Sequence, residues 1–268
     1  TPDLEDWEDF VDRIINPKHT VTIAVVGKYI ELQDAYKSIY ESLTIAGAAH
    51  FTKVNVVRVD SEAIEKDGAQ KLIGEVDGIL IPGGFGDRGI EGKVQTAHYA
   101  RTMKVPYFGI CLGMQVATVE YARNVCDLKG ADSTECNKDS PHPVICLQEE
   151  QKGVKDLGAT MRLGSCESIL FAGTRASELY NGVDVINERH RHRYEFNSDY
   201  LDQLKDAGLV ISSVSVKEGL VEIIELPDHP FYLGAQFHPE FKSKPNFPHP
   251  LFSGFVKAAL DSKVAIPA

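Results

Sequence analysis

The sequence places Gly109-Ile110-Cys111-Leu112-Gly113 between an apolar run at 105–110 and a helical pattern. A nucleophile between two glycines at a strand-to-helix turn has the sequence form of a nucleophile elbow. The glycines relieve clashes at the sharp turn, and the N-terminus of the following helix favours thiolate over thiol. The stretch therefore predicts an activated cysteine, Cys111, on an α/β fold. The alternative is a buried cysteine that acts as a small apolar side chain.

Strand and helix patterns alternate around this stretch. Strands are predicted at 21–26, 53–59 and 78–81, and helices at 34–50, 63–75 and 92–103. Beyond Asn124, strands are predicted at 144–147, 168–171, 209–214, 221–226 and 232–237, and a closing helix at 252–260. The alternation predicts an α/β fold, with a mostly parallel open sheet flanked by helices and the later strands joining the same sheet.

The chain opens with apolar residues at helical spacing from Leu4 to Ile14, and Pro17 ends the pattern. This spacing predicts a short amphipathic helix. We interpret residues 1–19 as a linker helix that follows another domain, and residues 20–268 as one α/β domain.

The amino-acid composition limits the kinds of partner that the chain can bind. The chain has 268 residues, 43% of them hydrophobic, and a net charge of −11, which argues against a nucleic-acid or anionic-membrane surface. No apolar run is long enough to span a bilayer, and the first twenty residues do not resemble a signal peptide. The five cysteines form no C-x-x-C pair, so neither disulfides nor a metal site are predicted, and a reducing, cytoplasmic location fits best.

A glycine-rich loop, Pro82-Gly83-Gly84-Phe85-Gly86, follows the strand at 78–81. Such a loop can turn its backbone N–H groups toward an anion or a developing oxyanion. It lacks the Gly-Lys-Ser/Thr ending of a phosphate-binding Walker loop. The alternative is an ordinary flexible turn.

Phe237-His238-Pro239-Glu240 follows the last predicted strand. Residues two apart lie on the same side of an extended segment, so Glu240 can hold the imidazole while its other nitrogen faces the sulfur. The alternative is a structural or solvated histidine.

The run Arg189-His190-Arg191-His192-Arg193 concentrates positive charge in an acidic chain. In an extended segment the arginines would point to one side and form a carboxylate-binding or interdomain surface. The alternative is a solvated charge run. Glu135 and Arg88 are unremarkable by themselves.

Taken together, the glycine loop, the Gly-Ile-Cys-Leu-Gly-Met-Gln run and Phe-His-Pro-Glu resemble the class I, triad-type glutamine amidotransferases. Further stretches, at 131–135, 160–164, 188–195 and 236–241, are similar to the glutaminase domains of the CTP synthase family. The resemblance covers Val21 to Leu260. It implies a flavodoxin-like fold, a glutaminase domain at 20–268 and a synthetase domain that is missing from this chain.

The resemblance also implies a mechanism. Cys111 would attack the side-chain amide of L-glutamine, release ammonia and leave a thioester that water hydrolyses, with His238 moving protons and Glu240 orienting it. The backbone N–H groups of Gly84 and Leu112 would form the oxyanion hole.

The resemblance also implies a set of residues that bind the substrate. Its glutamine-binding residues would be Gly84, Leu112, Gly113, Met114, Gln115, Glu135 and Arg193. Glu135 would pair with the substrate ammonium and Arg193 with its carboxylate, whereas Arg88 would be tied to activation by GTP.

The remaining implications concern the whole enzyme. The glutaminase domain would need no cofactor or metal, and its ammonia would aminate UTP to CTP in the synthetase domain, which would bind ATP and Mg²⁺. GTP would be an allosteric activator, and the full-length enzyme a homo-oligomer, a tetramer. Two alternatives stay open: a γ-glutamyl hydrolase or peptidase of the same fold, and a regulatory module without turnover.

Overall fold

The structure is a computed structural model that describes residues 3–30, 32–147 and 161–265. Residues 1–2, 31, 148–160 and 266–268 lie outside these ranges. They include Thr160, the start of the predicted linker at 1–19 and the end of the predicted domain at 20–268. The helices are α1 Glu5–Ile15, α2 Lys37–Ala49, α3 Ser61–Asp67, α4 Ala69–Ile73, α5 Ile90–Met103, α6 Leu112–Asn124, α7 Arg175–Leu179, α8 Leu201–Asp206 and α9 Pro250–Ala265. The strands are β1 His19–Gly27, β2 Thr52–Asp60, β3 Gly78–Ile81, β4 Tyr107–Ile110, β5 Ala131–Ser133, β6 His142–Leu147, β7 Arg162–Leu170, β8 Val185–His192, β9 Tyr194–Phe196, β10 Val210–Ser215, β11 Val221–Glu225 and β12 Tyr232–Ala235.

The main sheet has nine strands in the order β2-β1-β3-β4-β12-β11-β10-β7-β8. The strands from β2 to β12 in this order run parallel to their neighbours. From β12 onward each neighbouring pair is antiparallel. The predicted α/β sheet flanked by helices is therefore confirmed, and its parallel character belongs to the half that contains β4. The second half of the chain adds an antiparallel extension.

The strands β1, β3, β4 and β12 are buried on both faces over most of their length, which explains the largely apolar sequence of β1. Side chains alternate between faces along a strand. Val21, Ile23 and Val25 pack with α2 and α9, whereas Ala24 and Val26 join the core under α5 and α6. The sheet therefore holds its central strand ends rigidly between two apolar layers.

The helix predicted at 63–75 is divided in two. Gly68 ends α3 with a φ of +85°, a value that glycine adopts without strain, and α4 begins at the next residue. The first residues of the helix predicted at 34–50 form a 3-10 turn at Gln33–Tyr36 instead. The α-helix itself starts at Lys37. Apolar periodicity predicted these helices but not their interruptions.

The strand predicted at 144–147 does not join the main sheet, and that prediction is corrected. It lies in β6, which pairs with β5 and β9 in a three-stranded sheet. Val144 and Ile145 are fully buried in the core that contains α6. This small sheet positions residues 131–136 and 193–196 beside the end of β4.

The opening helix is present as α1, and none of its residues is buried. Its role as a linker stays a prediction. Within the described residues, no helix is both long and apolar enough to span a bilayer.

Candidate active site

Three segments meet at one edge of the sheet. β3, β4 and β12 are adjacent and parallel, so the chain leaves all three at the same edge. The glycine loop follows β3, Cys111 follows β4, and residues 236–240 follow β12. In parallel α/β sheets, ligands bind beyond the carboxyl ends of such strands.

Cys111 occupies the predicted elbow, with φ 53° and ψ −102°, a strained backbone conformation for a residue with a side chain. Its N–H donates a hydrogen bond to the carbonyl of Ala235 at 2.7 Å, which ties the elbow to β12. Gly113 is required because a Cβ there would lie 2.2 Å from the carbonyl oxygen of Ile81. The first turn of α6 therefore packs directly on β3, and the elbow is confirmed.

His238 and Glu240 are in contact, because Nδ1 of the ring donates to Oε1 of the carboxylate at 2.8 Å. The segment is not extended as expected from sequence. Pro239–Phe241 form a 3-10 turn, and Phe241 stacks on the imidazole with ring centroids 5.3 Å apart. The turn brings Glu240 to the ring, and stacking together with the ion pair fixes the ring plane.

Cys111 and His238 are neighbours across Gly83. A Cβ added to Gly83 would lie 2.7 Å from Cε1 of His238 and 3.5 Å from Cβ of Cys111. Burial alone would lower the pKa of His238, but the charge of Cys111 and the contact with Glu240 raise it to about 10. The arrangement therefore favours a protonated imidazole of His238 beside Cys111 at neutral pH.

The glycine loop is held from two sides. Nζ of Lys28 donates to the carbonyl of Phe85, and the N–H of Gly86 donates to Oε1 of Glu135 at 2.8 Å. Within the described residues, the N–H groups of Gly84 and Leu112 donate to no carbonyl. Both remain available at the two loops that flank the sulfur, so they can stabilise an oxyanion.

A small cavity lies beside the sulfur. Its lining residues are Gly84, Phe85, Cys111, Gln115, Glu135, His192, Arg193 and Tyr194. It thus brings together Cys111 and four of the predicted glutamine-binding residues: Gly84, Gln115, Glu135 and Arg193.

The other three predicted glutamine-binding residues, Leu112, Gly113 and Met114, do not line this cavity. Leu112 and Met114 are buried in the core. They lie in the first turn of α6, directly after Cys111.

The arginine-rich run forms the end of β8 and alternates as expected. Arg189 and Arg191 are exposed, whereas His190 and His192 are buried. Each histidine is hydrogen-bonded through Nε2 to a buried glutamate at 2.7 Å, Glu222 and Glu195 respectively. The sequence alone did not predict these pairs, although the alternation along β8 indicates that every second side chain is buried.

Arg88 does not line the cavity. Its Nε atom pairs with Oε1 of Glu62 at 2.7 Å, and its guanidinium lies 5.8 Å from the centroid of the Tyr29 ring. The structure therefore places Arg88 on the outer side of the glycine loop, half exposed to solvent.

Gln236 is a residue that sequence reasoning missed. It is fully buried, and its Nε2 atom lies 3.7 Å from Sγ of Cys111. Its position two residues before His238 was the available signal, because side chains two apart along an extended segment share a face.

The other four cysteines lie in different surroundings. Burial raises the pKa of Cys126. Burial, together with Asp132, Glu135 and Asp87, raises the pKa of Cys136 to about 12. Within the described residues, none of the five cysteines forms a disulfide. Only Cys111, among these described cysteines, lies at a helix N-terminus beside a histidine–glutamate pair.

Comparison with known proteins shows the family of the chain. The family model for class-I glutamine amidotransferases matches residues 31–258. The chain belongs to the class-I glutamine amidotransferase family. The matched range includes the glycine loop, the elbow and the His238–Glu240 pair.

Two curated relatives show which proteins of this family the chain resembles. The chain is 56% identical to a CTP synthase of Carboxydothermus hydrogenoformans over 97% of its own length and 48% of that protein. It is 55% identical to a CTP synthase of Geotalea uraniireducens, with the same coverage. The chain thus spans about half the length of the curated relatives it matches.

A solved structure is also similar, namely the glutaminase domain of Trypanosoma brucei CTPS with bound acivicin. The identity is 39% and the TM-score 0.84, and the match covers 90% of this chain and 94% of that one. This glutamine amidotransferase therefore resembles the glutaminase part of CTP synthases in both sequence and fold.

Proposed function

We propose that this chain hydrolyses L-glutamine to glutamate and ammonia through a thioester on Cys111. The observation that carries the proposal is the position of Cys111, at an elbow between the His238–Glu240 pair and a cavity lined by Glu135 and Arg193. A thiol, a base and two charged groups that suit an amino acid converge there.

The first half of the reaction forms the thioester. The thiolate of Cys111 attacks the side-chain carbonyl carbon of glutamine, and the carbonyl oxygen becomes an oxyanion held by the N–H groups of Gly84 and Leu112. The carbon–nitrogen bond then breaks while His238 gives its proton to the departing nitrogen, which leaves as ammonia.

The second half consumes water. His238, now neutral, takes a proton from a water molecule as the water oxygen attacks the thioester. A second oxyanion forms and collapses, the carbon–sulfur bond breaks, and glutamate leaves the thiolate of Cys111. Glu240 stays ionised throughout and holds the ring in the tautomer that directs Nε2 toward the reaction.

Charge at the far end of the cavity selects the substrate. We assign Glu135 to the ammonium group and Arg193 to the carboxylate of glutamine, while Gln115 and the backbone of 112–114 complete the pocket. A peptide-bonded glutamine has neither charge, so the pocket favours the free amino acid.

The role within a longer protein follows from the relatives, which are CTP synthases about twice as long. There the ammonia would aminate UTP to CTP in a synthetase half that binds ATP and Mg²⁺, joined through the segment at 1–19, which contains α1. Our proposal includes activation by GTP near Arg88, a tetrameric full-length enzyme and a cytoplasmic location. The glutaminase chemistry itself uses no cofactor.

The experiment is a direct comparison of two substrates. Ammonia release from glutamine is measured beside amino-acid release from a γ-glutamyl dipeptide, with Cys111→Ala as the blank. We expect turnover of glutamine that exceeds that of the dipeptide. Faster cleavage of the dipeptide would indicate a γ-glutamyl hydrolase instead, and turnover of neither would indicate a regulatory module.

A further inference from the structure

Gln236 links the sulfur of Cys111 to the substrate cavity. Its backbone N–H donates to the carbonyl of Glu222 on the adjacent strand at 2.8 Å, so the residue is held in place by the sheet. Its side-chain Nε2 lies 3.7 Å from Sγ of Cys111, within hydrogen-bond distance for sulfur. Its Oε1 atom accepts from Nε2 of Gln115 at 3.2 Å.

The orientation of the Gln236 amide is determined by its neighbours. Nε2 of Gln115 also donates to the carbonyl of Tyr194 at 2.9 Å, so both of its hydrogens are used. A flipped Gln236 would set its NH₂ group against that of Gln115 and its oxygen against the sulfur. The contact with Gln115 would be repulsive, and so would the contact with a thiolate, so the observed orientation satisfies Gln115, Gln236 and the thiolate together.

The Gln236 amide makes a different contact with each of its two partners, Cys111 and Gln115. The N–H of Gln236 provides a charge-assisted hydrogen bond to a thiolate inside a buried site, where such bonds are stronger than in water. Its oxygen holds the Gln115 amide, which leaves the oxygen of Gln115 as the acceptor beside the cavity.

We propose that Gln236 is a further positioning residue, which holds the Cys111 thiolate with its amide nitrogen and fixes the orientation of Gln115 with its amide oxygen. The Gln115 part rests on the proposed glutaminase function. The thiolate part depends only on the chemistry of the sulfur.

Two substitutions separate the two contacts. Gln236→Glu keeps an oxygen for Gln115 but sets a carboxylate oxygen against the sulfur, whereas Gln236→Met removes both contacts at similar size. Gln203→Met, on the exposed surface of α8, is the matched control. Circular dichroism and thermal unfolding verify that each variant is folded.

The first measurement needs no substrate turnover. The rate at which iodoacetamide alkylates Cys111 is followed against pH by peptide mass spectrometry, and its midpoint reports thiolate formation. We expect the midpoint to rise by about one pH unit in Gln236→Met, the equivalent of a roughly tenfold loss of thiolate stabilisation, and further in Gln236→Glu. Gln203→Met should match the wild type.

The second measurement is glutamine hydrolysis. Gln236→Met should lower kcat and also raise KM, so that kcat/KM falls roughly tenfold or more, whereas Gln236→Glu should keep KM near the wild-type value and lose kcat. A wild-type alkylation midpoint in folded Gln236→Met would overturn the proposal. If the midpoints separate but the wild type releases no ammonia from glutamine, the proposed function fails and the thiolate contact stands.

Discussion

The carboxylate of Glu135 accepts a hydrogen bond at 2.8 Å from the backbone N–H of Gly86. The residue proposed to bind the substrate ammonium therefore also anchors the glycine loop that carries the N–H of Gly84. The two proposed roles, substrate binding and oxyanion stabilisation, would thus be connected through one side chain, since a donor displaced from the oxyanion forfeits much of its contribution.

Two substitutions of Glu135 should behave differently for this reason. Glu135→Gln removes the charge but keeps an oxygen for Gly86, so we expect KM for glutamine to rise by a factor equivalent to about 2 to 5 kcal/mol while kcat changes little. Glu135→Ala should raise KM and lower kcat together. Steady-state ammonia release provides both constants.

Substrate analogues give the matching control. N-acetylglutamine lacks the ammonium group, so the wild type should hydrolyse it poorly and Glu135→Gln should discriminate against it less. Wild-type rates on N-acetylglutamine equal to those on glutamine would rule out this pocket.

The cysteines provide a second prediction. A glutamine-like chloroketone or diazoketone should label Cys111 selectively, because Cys126 and Cys136 have raised pKa values and are largely protonated at neutral pH. Mass spectrometry after limited labelling locates the adduct. Equal modification at Cys126, Cys136, Cys146 or Cys166 would contradict the assignment of the nucleophile.

The third prediction concerns the pair formed by His238 and Glu240. His238→Ala removes the proton carrier, and loss of a positioned general base typically costs about 10²- to 10⁴-fold in rate. Glu240→Gln removes only the charged hydrogen bond to Nδ1, so it should retain more glutaminase activity than His238→Ala. Equal loss in the two variants, or full activity of Glu240→Gln, would refute the assigned roles.

Stability should depend on pH through Lys93, whose side chain is almost fully buried in α5. Burial, reinforced by Lys28, lowers its pKa from 10.5 to about 8. Protonation therefore favours the unfolded chain, so the penalty is complete below pH 8 and disappears as the pH rises toward 10.5. Lys93→Met should raise the unfolding free energy at pH 7 by on the order of 3 kcal/mol.

Denaturant titration at several pH values measures this effect. The advantage of Lys93→Met should shrink steadily between pH 8 and 10.5, whereas Lys53→Met, at an exposed site on β2, should show no such trend. A stability difference that is constant with pH would show that Lys93 is not a buried cation.

Sequence reasoning succeeded where the signal was local. The elbow at Cys111 depends on glycines within two residues, and the His238–Glu240 contact joins residues two apart. The pairing of β6 with β5 and β9, by contrast, depends on strands that are distant along the chain. The contact of Gln236 with Cys111 crosses 125 positions, so no local pattern could predict its partner.

Activation should require a partner half. We expect the isolated chain to be a weak glutaminase that is stimulated by a separately supplied CTP synthase synthetase domain with UTP, ATP and GTP. Arg88→Ala should leave the basal rate within about twofold, because a half-exposed pair at the surface contributes little, but should lose the GTP stimulation. Arg58→Ala, an exposed arginine on β2, is the matched control. GTP stimulation of Arg88→Ala equal to that of the wild type would contradict this role.

The proposed glutaminase reaction requires a covalent γ-glutamyl thioester on Cys111. The most direct measurement is mass spectrometry of the chain after it is mixed with glutamine and quenched in acid, with ammonia quantified in the same samples. We expect a glutamyl adduct on Cys111, ammonia released in the first turnover in proportion to it, and neither product from Cys111→Ala. Ammonia release by Cys111→Ala, or by the wild type without any adduct on Cys111, would contradict it.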